Sequence, residues 1–319
     1  MKLNQLFKNA IEAGIAADPR GKKRIEKTLK KEKDREKDLK GVEKELFDPE
    51  RKWNPYGDSR IIHGTGDEEV THIMIGVDIE TPEMLLADRL REKGEKIDAL
   101  FIHHPEGRGL ADLDNCVPVQ IDVLASVGVP ENQAEALLKP SSARIRRSIH
   151  TKNLFREERA AELLGLPAFT CHTPTDNLVW QFMNKQICSN SYEDLGEIMN
   201  ALLKIEEFMI YAKKGNAPMI VNGTRDSRPG KVVASGFTGG TNGPEALVEK
   251  KAHAGVGTIL SMHFTEKEVE QGKKHNLNMI QCSHMASDIC GMNLMLDILE
   301  KKEKKLKTLG ISGFIRVKR

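Results

Sequence analysis

The sequence predicts an α/β fold with mostly parallel sheets covered by helices on both faces. Three observations predict it. From residue 70 onward, short apolar runs alternate with amphipathic stretches of helical period, the pattern of repeated strand–helix–strand units. Apolar residues make up 39% of the chain and aromatic ones only 5%, the balance of an aliphatic core between sheets and helices. Three apolar runs stop directly at histidine, and in open α/β sheets ligands gather beyond the carboxyl ends of strands. At 319 residues the chain has material for one large domain or two of ordinary size.

The elements follow in order. Residues 21–46, GKKRIEKTLKKEKDREKDLKGVEKEL, are dense in lysine and glutamate, with Ile25, Leu29, Leu39, Val42 and Leu46 spaced roughly as one helical face. An exposed N-terminal helical extension is expected there. The turn-rich DPERKWNPYGDSR reads as a linker, so residues 1–57 precede the main fold. VTHIMIGVDI is a buried strand, PEMLLADRLREKG a helix stopped at Gly94, and DALFIHHP a second strand, making one βαβ unit. Residues 118–165 are mostly helical, with breaks at Val129–Pro130 and Lys139–Pro140 and a basic cluster, ARIRRSIHTK, that reads as a solvated face. A strand at LPAFTCH leads into a helix beginning near Pro174, closing a first lobe over 58–190. A second lobe, 191–319, has a helix at LGEIMNALLKIEEFM and strands at APMIVNG and KVVASGF. The helix PEALVEKKAHAG, strand VGTILSMHF, helix TEKEVEQGKKHN and strand LNMIQC follow, and a terminal helix runs from Ser283 to about Lys304.

Composition excludes several classes. Lysine and arginine number 49 against 47 acidic residues, and a net charge of +2 gives no general attraction to nucleic acid or anionic membrane. No run reaches the eighteen or so apolar residues of a membrane span, and MKLNQLFKNAIEAG lacks the apolar core of a secretory signal. A cytoplasmic protein is expected. The five cysteines are odd in number and contain no C-x-x-C, which argues against a disulfide framework or a structural zinc knuckle. Cys171 and Cys282 stand near the strand-end histidines but read as small apolar fillers.

The residues that can carry chemistry lie at three strand-to-helix junctions: ALFI-His103-His104-Pro105, AFTC-His172-Thr-Pro-Thr-Asp176 and MIQCS-His284-Met-Ala-Ser-Asp288. Such junctions are rigid on the strand side and open on the helix side, which suits a metal site with a free coordination position. In a regular strand His103 and His104 would face opposite ways, but Pro105 turns the chain and lets both imidazoles address neighbouring ions. His284 and Asp288 share a helical face at the edge of the apolar stripe Met285, Ile289, Met292, Leu296 and Leu299. A structural ion pair explains that spacing equally well. Asp176 can also be a first-turn acid favoured by the helix dipole, with Thr173 as N-cap and Pro174 at the first helical position. The metal reading rests on the three junctions occurring together.

Nitrogen and oxygen donors of this kind suit two divalent ions, Zn²⁺, Fe²⁺ or Mn²⁺, with Asp176 or Asp288 as the bridge. His172 is then an orienting group or a general acid/base. The run Gly236-Phe-Thr-Gly239-Gly240-Thr-Asn-Gly243-Pro244 lies between a strand and a helix, so the backbone at Gly239 and Gly240 can approach a phosphate; a tight turn is the equal alternative.

On these residues the sequence resembles the Nif-three-like family of dinuclear metal-centre proteins, some members of which are named type-I-like GTP cyclohydrolases. The resemblance spans roughly 58–300 and is carried by the VGVDIETPEMLLA and LFIHHP segments, His172-Thr-Pro-Thr-Asp176-Asn177, the glycine-rich loop and His284-x-x-x-Asp288-x-x-Gly291. It implies His103, His104, Asp176, His284 and Asp288 as metal ligands, two related α/β lobes flanking a metal-containing cleft, and a homohexamer. The family's last ligand is usually glutamate, whereas Asp288 is one methylene shorter, and residues before 58 and 106–165 depart from compact members. Together these readings predict a hydrolase in which a metal-bound hydroxide attacks a nucleotide or another phosphorylated small molecule. A metal chaperone or metal-stabilised partner-binding protein is the alternative.

Overall fold

A computed structural model describes all 319 residues. In chain order the first elements are α1 (Leu3–Ala16), α2 (Gly21–Asp38), α3 (Val42–Glu45), β1 (Ile61–His63), β2 (His72–Gly76), α4 (Thr81–Glu92) and β3 (Ala99–Ile102). Then come α5 (Gly107–Ala111), α6 (Val119–Val127), α7 (Glu131–His150), α8 (Arg156–Leu164), β4 (Ala168–Thr170) and α9 (Thr173–Met183). The remainder comprises α10 (Leu195–Leu203), α11 (Glu206–Lys213), β5 (Met219–Asn222), β6 (Lys231–Ala234), α12 (Ala246–His253), β7 (Val256–Ser261), α13 (Glu266–Lys274), β8 (Asn278–Gln281), α14 (His284–Lys302) and β9 (Lys307–Gly310). No helix is long and apolar enough to cross a membrane.

The strands form two mixed, mostly parallel sheets, as the alternating pattern predicts: β1-β4-β3-β2-β9 and β5-β8-β7-β6, with only β1 and β5 antiparallel to their neighbours. Register is what positions the site. Gly76 pairs with Ile102, and Ile102 with Thr170, so β2, β3 and β4 end level and release Asp78, His103 and His172 at one edge. In the second sheet Ala234 pairs with Leu260 and Ser261 with Gln281, so the glycine-rich loop, His263 and His284 leave a common edge. One continuous core holds Ile73, Phe101 and Phe169 of the first sheet together with Ala234, Leu260 and Ile280 of the second.

Helices α9 and α14 cross between the sheets, and small residues set how closely they pack. A Cβ on Gly291 would lie 2.5 Å from the Thr175 carbonyl oxygen, and one on Gly14 would lie 2.5 Å from Pro174 Cβ, so α14, α9 and α1 meet almost backbone to backbone.

Four features differ from the sequence expectations. Helix α1 is not part of an exposed extension: Leu3, Leu6, Phe7, Ala10 and Ile11 are buried in the main core, and only α2 and α3 stand out, with Ile25 their one buried residue. The segment read as a linker is packed, with Asn54, Tyr56, Asp58, Ser59 and Arg60 buried. Helix α7 runs through Pro140 rather than breaking there. Strand β9 carries the end of the chain back to the first sheet beside β2, so the residues after 191 do not form one separate sheet.

Candidate metal centre

The three junctions converge. His103 and His104 leave β3 with ring centroids 5.0 Å apart and planes 36° from parallel, so the strand's alternation has ended and both rings turn to the same side. His172 is the N-cap of α9, Pro174 takes the second helical position, and Asp176 follows in the first turn, one place later than the capping pattern suggests. His284 opens α14 immediately after the N-cap Ser283, and Asp288 lies one turn on. His103, Asp176 and Asp288 are buried, whereas His284 is 42% exposed at the rim.

The nitrogen positions decide what this cluster can do. His103 Nδ1 lies 2.9 Å from Thr175 Oγ1, and since that hydroxyl donates to the Cys171 and His172 carbonyls, Nδ1 is the donor in the contact. His104 Nδ1 donates to Asp78 Oδ1 at 2.6 Å, and His172 Nδ1 to Asp58 Oδ2 at 2.9 Å. With Nδ1 tied outward, each ring turns Nε2 to a carboxylate of the cluster. The approaches of His103 to Asp176 and Asp288, of His104 and His284 to Asp288, and of His172 to Asp176 all fall between 3.4 and 3.7 Å.

Those separations lie at or beyond the long limit of a hydrogen bond. They match two donors on one cation, which stand roughly 3.3 Å apart when each is about 2.05 Å from a tetrahedral ion. His103 Nε2, Asp176 Oδ1 and both Asp288 oxygens are buried with no hydrogen-bond partner, a costly arrangement unless a cation satisfies them. Three overlapping donor groups form: His103, His104 and His172; His104, His284 and Asp288; and His103, Asp176 and Asp288. Asp288, although shorter than glutamate, reaches three of the histidines.

Burial and the mutual contacts of the cluster shift its protonation. Burial pushes His103 down to about 4, keeping Nε2 a free donor. Burial would lower His104 too, but its contacts with Asp288 and Asp78 outweigh that and raise it to about 10. Asp176 is pushed up to about 7 by burial, with the Asp288 charge adding to the rise. Burial also disfavours ionised Asp288, yet His103, His104 and His284 hold its carboxyl far below the usual carboxylate range. Without a cation, protonated His104 balances the Asp288 charge, and an ion bound at His104 Nε2 would take the place of that proton.

The structure of a NIF3 superfamily protein from Sphaerobacter thermophilus shares 26% sequence identity with this chain, covers 81% of it and 91% of its own length, and superposes with a TM-score of 0.70. In sequence and fold the chain is similar to the NIF3 superfamily. Two more distant similarities are to HcgD from Methanocaldococcus jannaschii, at 12% identity over 77% of this chain and 85% of that one with a TM-score of 0.48, and to a Bacillus cereus protein related to NIF3, at 10% identity over 81% and 92% with a TM-score of 0.41. No family model and no curated protein matches the sequence.

The supporting groups are the part that sequence reading missed. Asp58 lay in a segment read for its turn formers, and nothing local links it to a histidine 114 positions away. Asp78 was within reach of inference, because a lone acid at the carboxyl end of an apolar strand is the same signal that singled out the histidines. Cys171 and Cys282 are buried thiols that burial pushes upward in pKa, so they behave as the fillers expected.

The glycine-rich loop forms one wall of a cavity of about 290 Å³ that also takes in His104, His172, Asp176, His284 and Asp288. Gly239 and Gly240 have φ of +91° and +77°, and a Cβ on either would press on Gln120 or Leu113 at 2.5 or 3.0 Å. Packing and backbone conformation therefore account for both glycines without a ligand. The loop is braced from both sides. Gln120 Nε2 donates to the Gly239 and Thr241 carbonyls, and Thr238 Oγ1 donates to Asn177 Oδ1 at 2.6 Å, which joins the loop to the buried Tyr56–Asp18 pair.

Proposed function

We propose that this NIF3-like protein is a dinuclear metal-dependent hydrolase acting on a nucleotide or another phosphorylated small molecule. The observation that carries the reading is the set of four buried, unpartnered donor atoms on His103, Asp176 and Asp288, the two aspartates lining the cavity and His103 standing beside them. His103, His104, Asp176, His284 and Asp288 would hold two divalent ions, Zn²⁺, Fe²⁺ or Mn²⁺, with Asp288 central because it approaches three histidines. Such ions supply Lewis acidity and lower the pKa of bound water.

The chain's own residues do the rest. Burial opposes the charged form of His172, but Asp176 and Asp58 outweigh it, and Asp58 fixes Nδ1 as a donor, so Nε2 is left at the cavity wall to carry a proton to a leaving group. Gly240 keeps bare backbone at the cavity wall, with Gly239 next to it in the loop, where N–H groups can meet a phosphate. Family resemblance adds a homohexamer, which light scattering tests directly.

The experiment is metal content measured alongside hydrolysis of a panel of nucleotides and phosphate esters, for the native protein, His103→Ala, Asp176→Asn and His172→Gln. His103→Ala and Asp176→Asn should lose metal and turnover together. His172→Gln should keep its metal and lose turnover; loss of an ion instead would make it a ligand. A second reading, a metal chaperone, is favoured by the exposure of the His284 side chain, 42% open to solvent where an acceptor could take the ion. Metal handed to an apo-acceptor without hydrolysis of any compound would select it.

A further inference from the structure

His263 has no part in the metal cluster, yet it faces the same cavity. It lies two residues beyond the end of β7, and its ring centroid is 5.1 Å from that of His284. It lines the cavity with His104, Asp176 and Asp288, as does Lys152, a lysine with no ion-pair partner in the chain.

The surroundings of His263 fix where its proton sits. Asn242 Nδ2 is 3.1 Å from His263 Nδ1, 3.0 Å from the His263 carbonyl oxygen, and 3.5 and 3.4 Å from the two carboxylate oxygens of Glu268. A carbonyl and a carboxylate only accept, so the Asn242 atom among them must be the amide NH₂; its oxygen there would face lone pairs on every side. Asn242 therefore donates to Nδ1, and that nitrogen carries no proton. The ring is neutral and its single N–H is at Nε2, which makes no hydrogen bond within the chain.

The arrangement is rigid. Glu268 accepts from the Thr265 backbone N–H at 2.8 Å and from its hydroxyl at 2.9 Å, closing a capping box at the start of α13. Ser261 Oγ donates to the His263 carbonyl at 2.9 Å. With Nδ1 occupied as an acceptor and Nε2 as a donor, the ring has no free lone pair for a metal ion.

We propose that His263 is a substrate-positioning residue, whose Nε2–H donates a hydrogen bond to a phosphate oxygen of a ligand held beside the metal cluster, with Lys152 supplying positive charge at the same cavity. This rests on the metal-centre reading for its location, but the tautomer does not depend on it. The phosphate-bearing ligand of that reading must be small enough for a cavity of about 290 Å³.

Two measurements test the proposal separately from the metal centre. Nitrogen-15 chemical shifts of labelled His263 report the tautomer in metal-free protein: Nε2–H is expected, and Nδ1–H overturns the proposal. Calorimetric titration of Zn²⁺-loaded protein with inorganic phosphate should then show binding that weakens about tenfold or more in His263→Ala, as for loss of one hydrogen bond to a charged group. His263→Gln, which keeps an N–H near the Nε2 position, should recover most of that loss. Metal stoichiometry and melting temperature, measured on the same samples, should match the native protein. Loss of metal in His263→Ala would make the residue a ligand, and absent or unchanged phosphate binding would remove its positioning role; either result overturns the proposal. Failure of the native protein to bind Zn²⁺ would instead strike the metal reading, with the tautomer result still standing.

Discussion

The Nδ1 atoms of His103, His104 and His172 all point away from the cluster, to Thr175, Asp78 and Asp58. The histidines themselves were legible because an apolar strand ending in histidine is a local pattern. Their partners were not, since Thr175 and Asp58 meet these rings only through pairing of distant strands. Outer partners of this kind orient metal ligands, and removing one weakens metal affinity by roughly 10- to 100-fold. Asp78→Asn should do so here, read by competition with a chromophoric chelator. Its side chain is 53% exposed, so the melting temperature of metal-free protein should fall only slightly; undiminished metal affinity would show that His104 is not held for a metal. Lys251 shows the opposite relation of charge to burial. It sits beside Glu268 behind the glycine-rich loop, and burial lowers it from 10.5 to about 8. Between those values the unfolded chain binds more protons, so this residue's contribution to stability rises with pH there. Lys251→Met should therefore stabilise the protein at pH 7 by about 1–3 kcal/mol, with the gain fading towards pH 10.5 in urea unfolding. A gain that does not change with pH would refute the assignment.

The close approach of elements matters as much as their existence. Sequence period located the helices, but the tightness of their crossings had to come from structure. Gly291 was visible only as one letter of a motif, and its role is to let α14 lie against the Thr175 carbonyl on α9. Asp176 and Asp288 ride on those two helices, so the crossing distance sets their separation. Gly291→Ala should push the helices apart, cost on the order of 1–3 kcal/mol, and weaken metal binding although no ligand is altered. Unfolding curves with and without Zn²⁺ separate the two effects, and unaltered metal affinity would mean that the crossing does not position the carboxylates. Helix α1 carries a related lesson: Leu3, Leu6, Phe7, Ala10 and Ile11 recur with a helical period, a signal overlooked while the segment was read only for targeting features. Strand β9, by contrast, was not legible, because KTLG at a sheet edge is largely exposed and has no apolar pattern.

Across the whole molecule, the candidate centre lies where the two sheets meet. His103 and His104 extend the first sheet, His284 and Asp288 follow β8 of the second, and Asp176 stands on the helix between them. A cation held by all of these would tie the sheets together, whereas without one the buried carboxylates of Asp176 and Asp288 face each other. Burial lifts Asp176 from 3.8 to about 7, so between those values the folded chain binds more protons than the unfolded chain, and this residue's contribution to metal-free stability falls as pH rises. Above pH 7 the metal-free protein should therefore carry a strain that Asp176→Asn relieves. Metal should reverse the order: at a thousand times its dissociation constant it adds about 4 kcal/mol to the native protein, a rise of roughly 5–10 °C in melting temperature. Asp176→Asn should thus melt above the native protein in chelator at pH 8 and below it in excess Zn²⁺, and the chelator difference should vanish near pH 4. If the variant melts lower under both conditions, Asp176 is a structural first-turn acid and the electrostatic case for a shared ion fails at its centre.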